Sequence, residues 1–406
     1  PISSVTILFA LLVLLLTGAL AACGVDVNSV PTFTPDPALE ATAGALFPTP
    51  VPSVGPTATP VAEADDAAAI VVLLRNMEIA LQSNQDQLYL SYVDLSDPVF
   101  ALEQTRWVED WHSARVIVQR FELEVRNLVI DGDEATGDLN MQWTGLTSTQ
   151  YSRGADFPVR FTRDEDGEWR YAGELWVTFE TEHFVVRAAP GLEASAEAIL
   201  PDLPDVYARV TAMLDYEPSA PLEIKLYDNP WALIATTRFS LVNTINGWNE
   251  PGEALKLNAE QGPPAIRTIA HEFTHYLTFD MAGVTRGNYP WWVAEGMSMY
   301  AASLFWTGSE RNGYLNTVRG LQEEPGLVNW EDISDFERTP EDLWQFAYAQ
   351  GYAFVRYVSE TYGDDARNEW VRSMAGDQDV AAATEAAFGV TFEQASADFF
   401  DWLAAG

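Results

Sequence analysis

Apolar positions change their period from one region of the chain to the next, and each period predicts a different element. Between residues 67 and 83 they recur every three or four positions, at Ile70, Val71, Leu74, Met77 and Leu81, which is the stripe of an amphipathic helix. Gln85–Tyr92 extends that helical reading, and Leu102–Trp111 is a second helix. Strand-like runs follow at Val116–Ile130, Ala135–Trp143, Phe157–Arg163 and Trp169–Leu175. Asp131-Gly132-Asp133 supplies a turn between the first two, and Asp164-Glu165-Asp166-Gly167 closes the last hairpin. From Thr181 the pattern resets. Phe184–Arg187 and Leu222–Tyr227 read as strands, Ala254–Asn258 as a short one, and Leu192–Leu214 as a helix broken at Pro201 and Pro204. After Pro263 almost everything is helical. Helices, then a meander of long strands, then a small sheet and many helices make an α+β chain.

Outside these patterned regions the chain looks different. Residues 1–74 hold no Lys or Arg, and Val5–Leu16 is almost wholly apolar before small residues lead to Cys23. That is the hydrophobic region and cleavage zone of an export signal. Its usual basic start is missing, so the natural beginning is expected upstream. Leu20-Ala21-Ala22-Cys23 resembles the lipobox of bacterial lipoproteins, whose cysteine becomes the lipidated first residue; an uncleaved apolar anchor is the other reading of the same run. Either places the rest of the chain outside the cytoplasmic membrane; on the lipobox reading Cys23 is the lipidation site. From Asn28 to about Ala62, prolines alternate with Thr, Ala and Val, which favours an extended linker without a core. The expected organisation is a signal at 1–23, a linker at 24–62, a folded α+β domain at 63–178 and a second domain at 179–406.

Charge narrows the partners. With 60 Asp and Glu against 22 Lys and Arg, the net charge is −38, so nucleic acid is excluded as a partner and so is docking on anionic lipid through basic side chains. Membrane attachment is left to the lipid anchor. Only Lys225 and Lys256 are lysines, which reads as compositional bias. The single cysteine rules out an intrachain disulfide and a thiolate metal site.

Just four histidines are present: His112, His183, His271 and His275. The last two belong to His271-Glu272-Phe273-Thr274-His275, an H-E-x-x-H segment within a helix that Pro263-Pro264 opens. Residues four apart share a helix face, so both imidazoles reach one zinc ion, while Glu272 is turned aside to act on a water as general base. Ile269, Phe273, Tyr276 and Leu277 anchor the helix in the core. His183 reads as a surface or strand histidine. Trp107, Asp110, Trp111, His112 and Trp143 either line a pocket in the first domain or pack its core, and the second reading is the simpler.

A third zinc ligand is needed. Metzincins would place glycine at 278 and histidine at 281, where this chain has Thr278 and Met281. Downstream stands Trp292-Val293-Ala294-Glu295-Gly296, and residues 276–294 separate His275 from Glu295. The pair H-E-x-x-H and W-V-A-E-G resembles the peptidase MA-like family of gluzincins over about residues 181–406, together with the helical stretch from Ala347 to Tyr357. That resemblance implies a mainly helical gluzincin-type metallopeptidase domain with a small mixed sheet. It also implies one Zn2+ per chain on His271, His275 and Glu295, with Glu272 as base and a peptide as substrate. An oxyanion donor from a later helix is implied too; Tyr348 and Tyr352 are the candidates, Tyr348 first. Related peptidases lay substrate along an edge strand, here expected at Leu255–Asn258. Met299 stands where some gluzincins carry an aspartate that orients a ligand histidine, so Ser298 or Asp280 is expected to substitute. The first domain, in pattern alone, resembles the curved-sheet cone of nuclear-transport-factor-like (SnoaL-like) domains. The expected protein is an extracytoplasmic zinc metallopeptidase. Its rivals are a ligand-binding lipoprotein with a structural or vestigial zinc site, and a zinc hydrolase of a non-protein amide.

Overall fold

A computed structural model of the chain describes residues 61–405, apart from 113–116, 147–149, 242 and 284–286. The export signal, Cys23 and most of the proline-rich linker lie outside the described residues. Within them, no helix is long and apolar enough to cross a membrane.

The architecture is mixed α+β, with two sheets and a helical C-terminal half. Helices α1 (Val61–Gln82), α2 (Asp86–Leu90) and α3 (Pro98–Trp111) come first. Asp97 starts α3, accepting hydrogen bonds from the amides of Val99 and Phe100, and Pro98 takes the first helical position, where a missing N–H costs nothing. Four antiparallel strands follow in the order β1 (Ile117–Asp131), β2 (Glu134–Leu146), β3 (Gln150–Arg163) and β4 (Trp169–Glu174). Ile70, Leu74, Met77 and Leu81 of α1 are buried in the core that this sheet covers, while Val71 is 54% exposed.

The second sheet begins at β5 (Val177–Glu180), which pairs antiparallel with β6 (Phe184–Ala188). Its strand order is β5-β6-β7-β9-β8, with β7 at Leu222–Tyr227, β8 at Gly247–Trp248 and β9 at Leu255–Asn258. Two helices, α4 (Glu193–Ile199) and α5 (Leu203–Leu214), connect β6 to β7; the break falls at Pro201, whereas Pro204 sits in the first turn of α5, where its missing N–H costs nothing. Strand β5, helix α6 (Pro230–Thr237) and strand β8 escaped the sequence pattern. Helix α6 is capped by the Asn229 side chain with Pro230 behind it, and β8 forms inside a turn-rich stretch. Because β8 pairs with β9, the expected edge strand Leu255–Asn258 is internal and the two-residue β8 is the edge.

Helices α7 (Ile266–Met281), α8 (Trp291–Ser303), α9 (Gly308–Glu323), α10 (Trp344–Tyr362), α11 (Asp364–Ala375), α12 (Val380–Phe388) and α13 (Phe392–Ala405) complete the chain. Pro263 and Pro264 precede α7 and are not its first turn; a proline disfavours helical backbone at the residue before it, so Pro263 stays outside. Ile269, Phe273 and Leu277 bury one face of α7 completely, and Tyr276 packs at its margin.

The two sheet regions interlock. Phe239, just after α6, inserts into the first domain and sits 4.6 Å from the Trp107 ring, 5.5 Å from Trp143 and 5.6 Å from Trp111. Trp107 Nε1 donates to the Ala235 carbonyl, and the Asp110 carboxylate accepts from the amide and hydroxyl of Ser240. His112 lies apart from them, on the surface, paired with Asp86 at 2.9 Å. These aromatics therefore form a core shared with the second domain, the simpler of the two readings.

Candidate metal centre

Helix α7 carries His271, Glu272 and His275, and α8 crosses it carrying Glu295. His271 Nε2 and His275 Nε2 lie 3.2 Å apart. Glu295 Oε2 stands 3.3 Å from the first and 3.5 Å from the second. Helical spacing alone brings the two imidazoles together; the third corner needs two helices in contact. That contact depends on glycine. A Cβ at Gly351 of α10 would come 2.3 Å from the Trp292 carbonyl oxygen, and one at Gly296 would come 2.5 Å from the Gly351 carbonyl carbon. The glycine of W-V-A-E-G thus lets α8 and α10 approach at backbone distance.

Zinc bonded tetrahedrally at ~2.0–2.1 Å holds its ligand atoms about 3.3–3.4 Å apart, so the observed triangle has edges of the required length. Glu295 Oε2 is buried and makes no hydrogen bond of acceptable geometry, as expected of an oxygen reserved for an ion. The residues present fit the group. Burial alone would raise the Glu295 carboxyl, but the facing imidazoles outweigh it and hold the group well below the ordinary carboxylate range. Glu272, also buried, shifts the other way: loss of water raises it, and the histidines offset this only in part.

A cleft of about 600 Å³ opens over the triangle. Edge strand β8 forms one lip, and its Gly247 meets α7 directly, since a Cβ there would lie 2.6 Å from Glu272 Oε1. Neither amide atom of the neighbouring Asn249 has a hydrogen-bond partner among the described residues. The opposite wall is aromatic: Trp291 packs edge-on against Phe336 at 5.3 Å, Trp344 at 5.9 Å and Tyr348 at 5.9 Å. Gly247 and Asn249 belong to the turn-rich stretch Asn246–Gly252. A two-residue strand has no period to detect, so no local signal marks them.

The remaining expected residues separate. Tyr348 lines the cleft with its ring 6.3 Å from His271. Tyr352 is fully buried one turn on, packed against Trp306 and Tyr314, and is not part of the cleft wall. Asp280 accepts a hydrogen bond from Tyr216 at 2.7 Å, and the Ser298 hydroxyl is buried without a partner, so neither is seen to orient a ligand histidine. The donor found beside the triad is instead Trp291, whose Nε1 reaches Glu295 Oε1 at 2.8 Å. His183 stacks on Tyr207 at 3.6 Å, away from the triad.

No curated protein matches the sequence significantly. Among solved structures, an M1 zinc metallopeptidase mutant from Deinococcus radiodurans aligns at 10% identity and a TM-score of 0.37, over 71% of this chain and 94% of its own. A protein of unknown function from Mycobacterium tuberculosis aligns at 18% identity and a TM-score of 0.23, over 28% of this chain and 72% of its own. Residues 254–405 match the family model of the Peptidase MA superfamily, a segment that contains both histidines, Glu272 and Glu295.

Proposed function

We propose that the chain is a zinc metallopeptidase whose centre is held by His271, His275 and Glu295. The observation that carries this is the triangle itself: two imidazole nitrogens and one otherwise unbonded carboxylate oxygen at 3.2, 3.3 and 3.5 Å, on a segment similar to the Peptidase MA superfamily. Zinc bound there would supply Lewis-acid activation of water and of the scissile carbonyl. The chain's own residues supply the rest. Glu272, buried beside the ligands, takes the proton of the attacking water and passes it to the leaving amine. Tyr348, on the cleft wall, donates to the oxygen that gains charge. An extended substrate lies along β8, where the free strand edge and the Asn249 amide offer main-chain hydrogen bonds. Phe239 fills the space among Trp107, Trp111 and Trp143, which disfavours a ligand pocket lined by those three rings. A peptide is preferred to other amides because a strand edge recognises peptide groups.

Purified protein is expected to hold one zinc per chain, and Glu272→Gln to retain that zinc while kcat for peptide hydrolysis falls on the order of 10²- to 10⁴-fold. Absence of zinc from the purified chain, or full activity in Glu272→Gln, sinks the reading.

We also propose that the enzyme is extracytoplasmic and lipid-anchored through Cys23, with a SnoaL-like first domain. Expressed in a bacterium from a gene with its natural start, the protein should partition with membranes, and Cys23→Ser should release it or block its processing. Unchanged partitioning and processing would count against lipidation.

A further inference from the structure

We propose that Trp291 is a positioning residue for the third metal ligand, holding Glu295 so that it binds through one oxygen only. The inference rests on the zinc reading above and deepens it.

The two oxygens of Glu295 have different surroundings. Oε1 accepts the Trp291 indole N–H at 2.8 Å, whereas Oε2 faces the two histidine nitrogens and has no acceptable hydrogen bond. Trp291 precedes Glu295 by four positions on α8, so helical geometry lays the indole along the same face as the carboxylate. The donor is itself held in place. The Trp291 amide donates to the Ser334 carbonyl at 2.8 Å, and its ring is wedged among Phe336, Trp344 and Tyr348. Rotating the carboxylate to offer both oxygens would break the indole bond, and the indole cannot follow without unpacking the cleft wall. A carboxylate fixed before the ion arrives pays less ordering entropy on binding and keeps one coordination position open for substrate. Phenylalanine could fill the wall; only an N–H donor can also fix the ligand.

Zinc affinity, measured by competition with a chromophoric chelator, tests this apart from activity. Two variants are compared with the wild type: Trp291→Phe, and replacement of Trp291 by 3-benzothienylalanine, which keeps the indole's shape but has sulfur in place of N–H. Both should bind zinc about 10- to 100-fold more weakly. The thermal midpoint of the metal-free benzothienyl protein should stay at the wild-type value. With cobalt in place of zinc, the variants should lose visible absorption intensity as the released carboxylate turns bidentate and raises the coordination number. Wild-type zinc affinity and an unchanged cobalt spectrum in the benzothienyl protein would overturn the proposal while leaving the zinc reading intact. A wild-type chain that binds no zinc would overturn both.

Discussion

Tyr348 and Tyr352 stand one turn apart on α10 and are indistinguishable by spacing, yet only the first borders the cleft. The second is enclosed by Trp306 and Tyr314. Tyr348→Phe is therefore expected to lower kcat on the order of 10²- to 10³-fold with zinc content unchanged, the usual cost of losing one oxyanion donor. Tyr352→Phe should leave kcat close to wild type. Equal kcat losses in the two variants, read by steady-state kinetics on one peptide, would refute the assignment. The sequence revealed His271, Glu272 and His275 because their relation is local: four residues of helix fix it. Glu295 came from resemblance to a family, and the structure brings it to the same point. Gly247 was not legible as a site residue, since its role arises from contact with another element, and Trp291, though only four positions from Glu295 on one helix, carries no mark in the sequence that its indole serves that carboxylate.

At the level of elements, the site depends on how closely α8 and α10 pack. Gly296 and Gly351 meet backbone to backbone, and this contact sets both the reach of Glu295 toward α7 and the position of Tyr348 at the cleft. Gly351→Ala would press a methyl group onto the Trp292 carbonyl, which cannot yield without moving the helix. It should destabilise the protein by about 1–3 kcal/mol, as overpacking does, and weaken zinc binding in parallel. Chemical denaturation and metal titration check the two effects; a variant as stable and as tightly metallated as the wild type would show that the helices have slack here. Strand β8 illustrates what pattern reading misses. Two residues carry no periodicity, and the expected edge at Leu255–Asn258 became internal because β8 pairs over it.

Across the whole molecule, the two lysines acquire a purpose that composition did not suggest. Lys225 and Lys256 are 2% and 1% exposed, buried between the two sheet regions. Glu103 of α3 bridges them, with Oε2 2.5 Å from Lys225 Nζ and Oε1 3.3 Å from Lys256 Nζ. Glu253 pairs with Lys256 at 3.0 Å and with Arg106 at 3.0 Å. Burial by itself raises Glu103, but the two ammonium charges outweigh it and its carboxyl lies below the ordinary value of 4.5. A depressed carboxylate contributes stability above its unfolded value, and that contribution is lost as pH falls through the folded one. Burial lowers the lysines, the facing carboxylates more than restore them, and both end above 10.5; their contribution is present below that value and fades at higher pH. The junction is thus firm between about pH 4.5 and 10.5 and loosens on the acid side first. Glu103→Gln should cost about 3–5 kcal/mol at neutral pH by leaving buried cations under-compensated, and should flatten the acid limb of the stability profile. Denaturant unfolding across that range measures both. A loss below about 1 kcal/mol would mean that water or the remaining carboxylates already neutralise the lysines.

Alone, the sequence determined what depends on neighbours along the chain. That covers the amphipathic helices, the long antiparallel strands, the helix break at Pro201, and the shared helix face of His271 and His275 with Glu272 between them. It also carried the acidic balance of 60 Asp and Glu against 22 Lys and Arg. Tertiary structure decided everything that requires distant segments to meet. It brought Glu295 to within 3.5 Å of both histidines, filled the first domain's core with Phe239, and placed the buried lysines at a junction. It also chose Tyr348 over Tyr352 for the cleft. The physical reason is common to all four. Periodicity records which face of an element is apolar, whereas the identity of what covers that face is set by close packing, and no local pattern encodes it.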